Sequence, residues 1–187
     1  MAIAKPFNLT KWIEDNRHLL KPPVGNKNLY IDSGDYIVMI VAGPNARKDY
    51  HYNETEELFY QLEGEITVCI QEEGKKRAMK LKAGDMYLHP ARVPHSPARS
   101  KNSIGLVIER KRNHLKVKDG LLWYCDNCNE KLHEVYFELN DIEKALVFLY
   151  LEDKDYTEIS ETLGISEVNA RVKMNRIKGK LKKILNP

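Results

Sequence analysis

The amino-acid sequence predicts a mainly β fold, a barrel or sandwich, with a small all-α segment at its C-terminal end. Two observations carry this. From Leu29 to Arg110, short β-rich runs alternate with the turn signals Ser33-Gly34, Gly43-Pro44-Asn45, Glu63-Gly64, Glu73-Gly74 and Ala83-Gly84-Asp85. Even spacing of that kind marks an antiparallel barrel or sandwich. Near residue 140 the apolar period then switches from 2 to 3.6, with Ile142, Ala145, Leu146, Leu149 and Tyr150 recurring at helical spacing. The chain accordingly divides into 1–140 and 141–187.

Taken in order, Thr10 is placed to cap a short helix whose apolar face is Trp12, Ile13, Leu19 and Leu20. The paired prolines Pro22 and Pro23 end it, because they cannot continue a helix. Strands are expected at Leu29–Ile31, Tyr36–Ala42, Leu58–Leu62, Ile66–Gln71, Met79–Leu81, Met86–Leu88 and Ile104–Glu109. The pattern loosens through Lys111–Lys118, tightens at Leu121–Tyr124, and Val135–Leu139 reads as one more strand. A second C-terminal helix fits Thr157–Leu163, with Gly164 placed to end it and Ser166 to cap a third that runs to about Leu185.

Composition sets outer bounds. The 187 residues carry a formal charge of +3, which does not by itself argue for nucleic acid or membrane. No apolar run approaches the length of a bilayer span, and the N-terminus lacks a basic-then-apolar signal pattern. Three cysteines do not make a secreted disulfide framework, so a reducing cytoplasm is the expected location.

The residues with chemistry lie between Arg47 and Arg99. His51 is followed six residues later by Glu57, and His95 stands behind Pro94. Two neutral imidazoles and one carboxylate form the set that holds non-haem Fe(II) on one face, leaving positions open for substrate and O2. Glu54 and Glu56 are rivals, but Glu57 alone opens the apolar run Leu58-Phe59-Tyr60, at a strand start. The other histidines, His18, His89, His114 and His133, read as ordinary surface or core residues. Arg47 and Arg99 lie four residues outside the two histidines, near enough to the barrel mouth to grip a carboxylate bidentately or to be solvated loop charges. Glu109 is an ionisable residue in the apolar strand around Val107 and Ile108. Such a charge is costly unless paired or used, which makes it a candidate acid or base.

The order Gly43, His51, Glu57, Gly64, then Gly84, Pro90, His95 resembles the two paired motifs of the cupin superfamily. That likeness implies a double-stranded β-helix, or jelly-roll, barrel with metal ligands on its inner wall. Many cupins place His-x-His in the first motif; His51-Tyr52-Asn53 supplies one histidine, which favours three protein ligands over four. More specifically, Phe7-Asn8, the run Leu20 to Asn26, Gly43-Pro44-Asn45, Arg47, Asp49-Tyr50-His51, Glu56 to Gln61, Pro94 to Pro97, Val107 to Arg110 and Trp123 to Cys128 resemble the bacterial 3-hydroxyanthranilate 3,4-dioxygenase family. The match covers roughly residues 5 to 140.

That resemblance implies an Fe(II) extradiol dioxygenase that opens 3-hydroxyanthranilate with O2 to 2-amino-3-carboxymuconate semialdehyde, in the kynurenine route to quinolinate and NAD. It implies that His51, Glu57 and His95 bind iron, and that Arg47 and Arg99 bind the substrate carboxylate or its polar neighbours. Glu109 would meet the phenol or amine, while Asn26 and Asp49 match positions near substrate, iron and oxygen. A homodimer is expected.

Cys125 and Cys128 depart from the pattern. Bacterial members of this type usually carry a second Cys-x-x-Cys near the C-terminus, completing a four-sulfur iron site, and this chain has no cysteine after Cys128. Two thiolates fall short of a closed site; His133 is the nearest candidate third ligand. Cys69 reads as a small buried apolar residue. In place of the missing pair, residues 141–185 resemble region 4 of bacterial RNA polymerase sigma factors, a helix-turn-helix. From Arg171 to Lys183 there are seven basic residues and no acidic one, a face suited to phosphates and a major groove, or simply to solvent. Three readings are therefore open: the enzyme, a ligand-sensing cupin regulator binding DNA or RNA polymerase through 141–187, and a metal-binding cupin without catalysis.

Overall fold

A computed structural model of the chain describes residues 5–20, 25–30, 33–45, 47–112, 117–137, 143, 146–147, 149–150 and 154–185. Eleven strands are resolved among them: β1 (Asn26–Asn28), β2 (Tyr36–Ala42), β3 (Asp49–Tyr52), β4 (Glu57–Glu63), β5 (Glu65–Glu72), β6 (Lys75–Lys82), β7 (Met86–His89), β8 (His95–Arg99), β9 (Ile104–Arg110), β10 (Asp119–Tyr124) and β11 (Lys131–Phe137). They form two antiparallel sheets, ordered β1-β2-β9-β4-β7 and β11-β10-β3-β8-β5-β6. Face to face, these make the cupin barrel that the motif order predicts.

Alternation along the strands decides what the barrel contains. Residues opposite one another in antiparallel strands share a face, so the row Met39, Val107, Phe59, Tyr87 crosses β2, β9, β4 and β7 on one side of the sheet. Phe59 and Val107 meet Val41, Ile66, Val68, Ile70 and Leu81 from the facing sheet and its neighbours in the barrel core. The opposite side of the first sheet is covered in part by α1 (Leu9–Asn16) and a 3-10 turn, Arg17–Leu19. Ile13 and Leu20 pack there on Ile40, Ala42 and Ile104. Asn8, not Thr10, caps α1: its side chain accepts the Lys11 backbone N–H at 2.9 Å, so the helix starts earlier than the apolar pattern suggested. Gly64 turns β4 into β5 at φ +66°, a left-handed conformation that favours glycine.

Two strands, β3 and β8, were not among the expected ones. His51 and His95 interrupt their apolar alternation, and Pro97 stands within β8. Their pairing supplies the stability that local pattern does not show: β3 lies between β10 and β8, and β8 between β3 and β5. The first strand is also displaced, to Asn26–Asn28 rather than Leu29–Ile31, where it pairs Val41 to Met39 of β2. Cys69 is half-buried rather than buried, because Val68 and Ile70 take the inward face of β5.

Two C-terminal helices follow, α2 (Tyr156–Leu163) and α3 (Glu167–Leu185). Asp155 and Glu158 close a reciprocal capping box at the start of α2, and Gly164 ends it at φ +62°. Ser166 Oγ accepts the Asn169 N–H at 3.2 Å, the capping contact expected of it. Residues 143, 146, 147, 149 and 150 are helical as well; Ile142 and Ala145 lie outside the described residues, as does His114. These helices share one core with the sheet. Ile159, Ala170, Met174 and Ile177 pack with Leu146, Val147 and Leu149 on Leu121 of β10 and Val135 of β11. Among the described residues no helix is long and apolar enough to cross a membrane.

Candidate metal centre

His51 lies on β3 and His95 on β8, directly paired across the second sheet. Glu57 opens β4 in the other sheet, so the three side chains reach the barrel interior from both walls. One donor atom from each of His51, Glu57 and His95 can be chosen so that all three lie within 4.8 Å of one another, and all three residues are buried. Glu57 Oε2 is 3.1 Å from His95 Nε2, and the two imidazole centroids are 5.7 Å apart. Burial alone would push the Glu57 carboxyl up, but the neighbouring His95, with His89 and Arg112 beyond it, holds it below the usual carboxylate range. A buried anion between two imidazoles is the donor set that suits a divalent cation with nitrogen and oxygen preference. The residues present therefore fit a metal.

Glu57 is held in place from behind. Asn53, buried two residues past His51, donates from Nδ2 to Glu57 Oε2 at 3.0 Å. Asn53 was overlooked as a site residue. The signal was present: it occupies the x-His place of the His-x-His motif, at the i+2 spacing that shares a face with His51. Of the rivals, Glu56 is exposed and Glu54 turns to Arg92 at 3.8 Å.

His89 sits in the same inward row as Glu57 and Glu109, with its ring 4.2 Å from that of His95. Its Nε2 meets the Val93 carbonyl at 2.8 Å and its Nδ1 the Tyr87 hydroxyl at 3.1 Å. Both ring nitrogens are engaged, so His89 is a core histidine and its neutral form is favoured. Burial, followed by the charge of His95, pushes its pKa down to about 4.

The structure distributes the remaining predicted residues unevenly. Asp49 is buried two residues before His51 and is gripped by Arg47, whose Nε lies 3.4 Å from Asp49 Oδ1 while Nη2 reaches Oδ2. Arg99 is buried inside the barrel, four residues beyond His95 and so about 13 Å along the strand. Its guanidinium occupies a slot left by Gly105. A methyl group there would sit 2.9 Å from Arg99 Nη1 and 3.0 Å from Gln61 Oε1. Asn26 is exposed on the edge strand β1. Glu109 lies opposite Glu57 in register and therefore on the same inward face.

A buried cation unforeseen in the sequence stands beside Glu109. Arg112 donates from Nη1 to Glu109 Oε2 at 2.9 Å and from Nε to Asp119 Oδ1 at 2.8 Å. The surrounding text, Lys111 to Lys118, is polar and irregular, so nothing local distinguished Arg112 from a surface charge.

Around Cys125 the chain makes a tight knuckle, with the Cys125 N–H on the Glu130 carbonyl and the Asn129 N–H on the Cys125 carbonyl. Hydrogen bonds from the backbone of Cys128 and Asn127 lower the Cys125 thiol below its usual value. Yet among the described residues the only group of three or more metal-capable side chains is His51, Glu57 and His95. His133 lies against Trp123 on the neighbouring strand, ring centroids 5.7 Å apart.

With this geometry in view, a family model described as 3-hydroxyanthranilic acid dioxygenase matches residues 1–153. The chain belongs to that family. Relatives include the 3-hydroxyanthranilate 3,4-dioxygenase of Xanthomonas euvesicatoria pv. vesicatoria (strain 85-10), 55% identical over 138 residues, covering 74% of this chain and 77% of the relative. The protein of the same name from Bacillus cereus (strain ATCC 10987 / NRS 248) is 52% identical over 141 residues, 75% of this chain and 78% of the relative. A solved cupin-2 domain protein from Shewanella frigidimarina aligns at TM-score 0.44 and 21% identity over 52% of this chain and 91% of its own. A second family model, sigma-70 region 4, matches residues 131–181. The dioxygenase family match therefore extends over all eleven strands and on to residue 153; the two matches overlap over residues 131–153, which include β11.

Proposed function

We propose that this member of the dioxygenase family opens the ring of 3-hydroxyanthranilate between C3 and C4, incorporating both atoms of O2 to give 2-amino-3-carboxymuconate semialdehyde. The observation that carries the reading is the convergence of His51, Glu57 and His95 within 4.8 Å from two sheets. These three would hold Fe(II). When bound, the metal supplies Lewis acidity toward the substrate's hydroxyl and amine and a site where O2 can react.

The chain's own residues supply the rest. Glu109, on the same inward face as Glu57, accepts the proton of the substrate hydroxyl at a carboxylate oxygen. Arg99 and Arg47 bring guanidinium groups for the substrate carboxylate and its polar neighbours, Arg47 oriented by Asp49. Phe59 and Val107, packed in the barrel core, exclude water and so strengthen each of these charged contacts. Asn26, exposed on β1, stands at the edge of the same sheet as Glu57 and is proposed as an outer substrate contact. Cys125 and Cys128 are proposed as free thiols rather than a second metal site. The protein is further proposed to pair as a homodimer. The row Val38, Ile108, Leu58, Leu88 on the outer face of the first sheet, with Met86 and Leu88 exposed, is the apolar surface that would be covered.

The experiment is direct. The protein is loaded with Fe(II) without oxygen, 3-hydroxyanthranilate and then O2 are added, and oxygen uptake is followed with the loss of the substrate spectrum. Stoichiometric uptake supports the enzyme. Iron bound without uptake leaves a metal-binding cupin. The sigma-like match and the basic residues of α3 favour a second reading, a ligand-sensing regulator. It requires salt-sensitive duplex binding modulated by the aromatic ligand, with little turnover.

A further inference from the structure

Arg112 is almost fully buried, two residues past the end of β9, and its guanidinium is shared among three segments. Nε meets Asp119 at the start of β10, while Nη1 meets Glu109 of β9, Thr55 Oγ1 at 3.1 Å and the Arg110 carbonyl at 3.2 Å. Thr55 stands two residues before Glu57. Burying a guanidinium is costly unless its donors are satisfied, and here its partners include the one carboxylate that lies opposite Glu57 in register. Two acidic side chains on the same inward face repel each other, and a carboxylate free to rotate would swing away from the metal ligand. A planar fork with one arm on Asp119 and another on Glu109 prevents that rotation, which a single ammonium group cannot do as well.

We infer that Arg112 is a positioning residue for the reaction: anchored by Asp119 and Thr55, it holds the Glu109 carboxylate on the inner face beside Glu57, where the substrate's hydroxyl and amine arrive. The inference rests on the proposed role of Glu109. Arg112 touches no substrate and positions through Glu109; its charge, which Arg112→Lys keeps, also helps hold the Glu57 carboxyl low.

The test uses the full-length, iron-loaded protein with Arg112→Lys, Glu109→Gln and the double variant, and reads kcat, KM for 3-hydroxyanthranilate and iron content. Arg112→Lys is expected to lower kcat about tenfold, with iron content and KM held within about twofold. In the Glu109→Gln background the same change is expected to alter kcat by less than about twofold, because the group it positions has lost its function. A tenfold loss that recurs in that background, or a loss expressed as missing iron or a raised KM, overturns the inference and leaves Arg112 a structural tie. Glu109→Gln with native kcat overturns the role of Glu109 itself, a distinct result. If Arg112→Lys does not fold, Thr55→Val loosens the same arm without changing charge. It should lower kcat about threefold in the native background and not at all with Glu109→Gln.

Discussion

Glu57 Oε2 lies 3.1 Å from His95 Nε2, and this contact joins the two sheets of the barrel. Glu57 opens β4 on one wall and His95 opens β8 on the other. Replacing Glu57 by alanine removes the only carboxylate of the candidate ligand set and leaves His95 facing an empty position. Glu57→Ala is expected to lose metal and turnover together, measured as iron per chain and oxygen uptake. An iron-loaded, active Glu57→Ala protein would show that another carboxylate serves.

Asn53 bears on the same atom from the other side. Its amide fixes Glu57 Oε2 at 3.0 Å, and groups that orient a ligand commonly account for about ten- to a hundredfold in metal affinity. Asn53→Ala should weaken iron binding by that order while the protein stays folded. Equilibrium metal titration against a chelator reads the effect directly.

Gly105 keeps open the slot that Arg99 fills. A methyl group 2.9 Å from Arg99 Nη1 and 3.0 Å from Gln61 Oε1 must push one of them aside, at a cost of about 1–3 kcal/mol typical of overpacking. Gly105→Ala is therefore expected to raise KM for 3-hydroxyanthranilate severalfold while iron content stays normal. Arg99→Ala should do the same more severely. If both leave KM and kcat untouched, Arg99 serves the barrel and not the substrate.

His89 makes the metal-stripped protein sensitive to acid. Its folded-state pKa lies near 4, below the ordinary histidine value of about 6.5. Between those values the unfolded chain binds a proton that the folded chain does not. The stability from keeping His89 neutral is complete above about pH 6.5 and is lost as pH falls toward 4, up to roughly 3 kcal/mol. Urea unfolding of the stripped protein across this window should show a declining midpoint that His89→Gln flattens. Metal must be absent, since a bound cation adds its own charge beside His95.

The C-terminal helices are expected to stabilise the barrel rather than hang from it. Leu121 and Val135 are buried under Ile159, Ala170, Met174 and Ile177, and uncovering two such side chains costs about 3 kcal/mol or more. Leu121 is also the direct neighbour of His51 across β3 and β10. Truncation after Asn140 should lower Tm by several degrees, increase binding of an apolar dye and reduce turnover. An unchanged Tm would mean that the two parts fold apart.

Much of the barrel is legible in the sequence. Tyr36–Ala42 has the bounds expected of it, and the strands around Phe59, Val68 and Val107 lie where alternation put them, because inward and outward faces are written residue by residue. Strands β3 and β8 escape the same pattern because His51, His95 and Pro97 stand where apolar residues would have announced a strand. Residues 51, 57 and 95 could be named as candidates from residue type and spacing.

What the sequence by itself determined is the face on which residues lie in the strands of clear apolar alternation, the turns between those strands, the Gly164 stop and Ser166 cap of the last two helices, and the family to which the chain belongs. What only the tertiary structure decided is which distant faces meet. The fork of Arg112 between Glu109 and Asp119, the hold of Asn53 on Glu57, the slot of Gly105 for Arg99 and the shared core of β10, β11 and the C-terminal helices are all of this kind. Local periodicity records burial along one element. A contact between elements depends on how sheets close on one another, and the energy of a buried charge is set there.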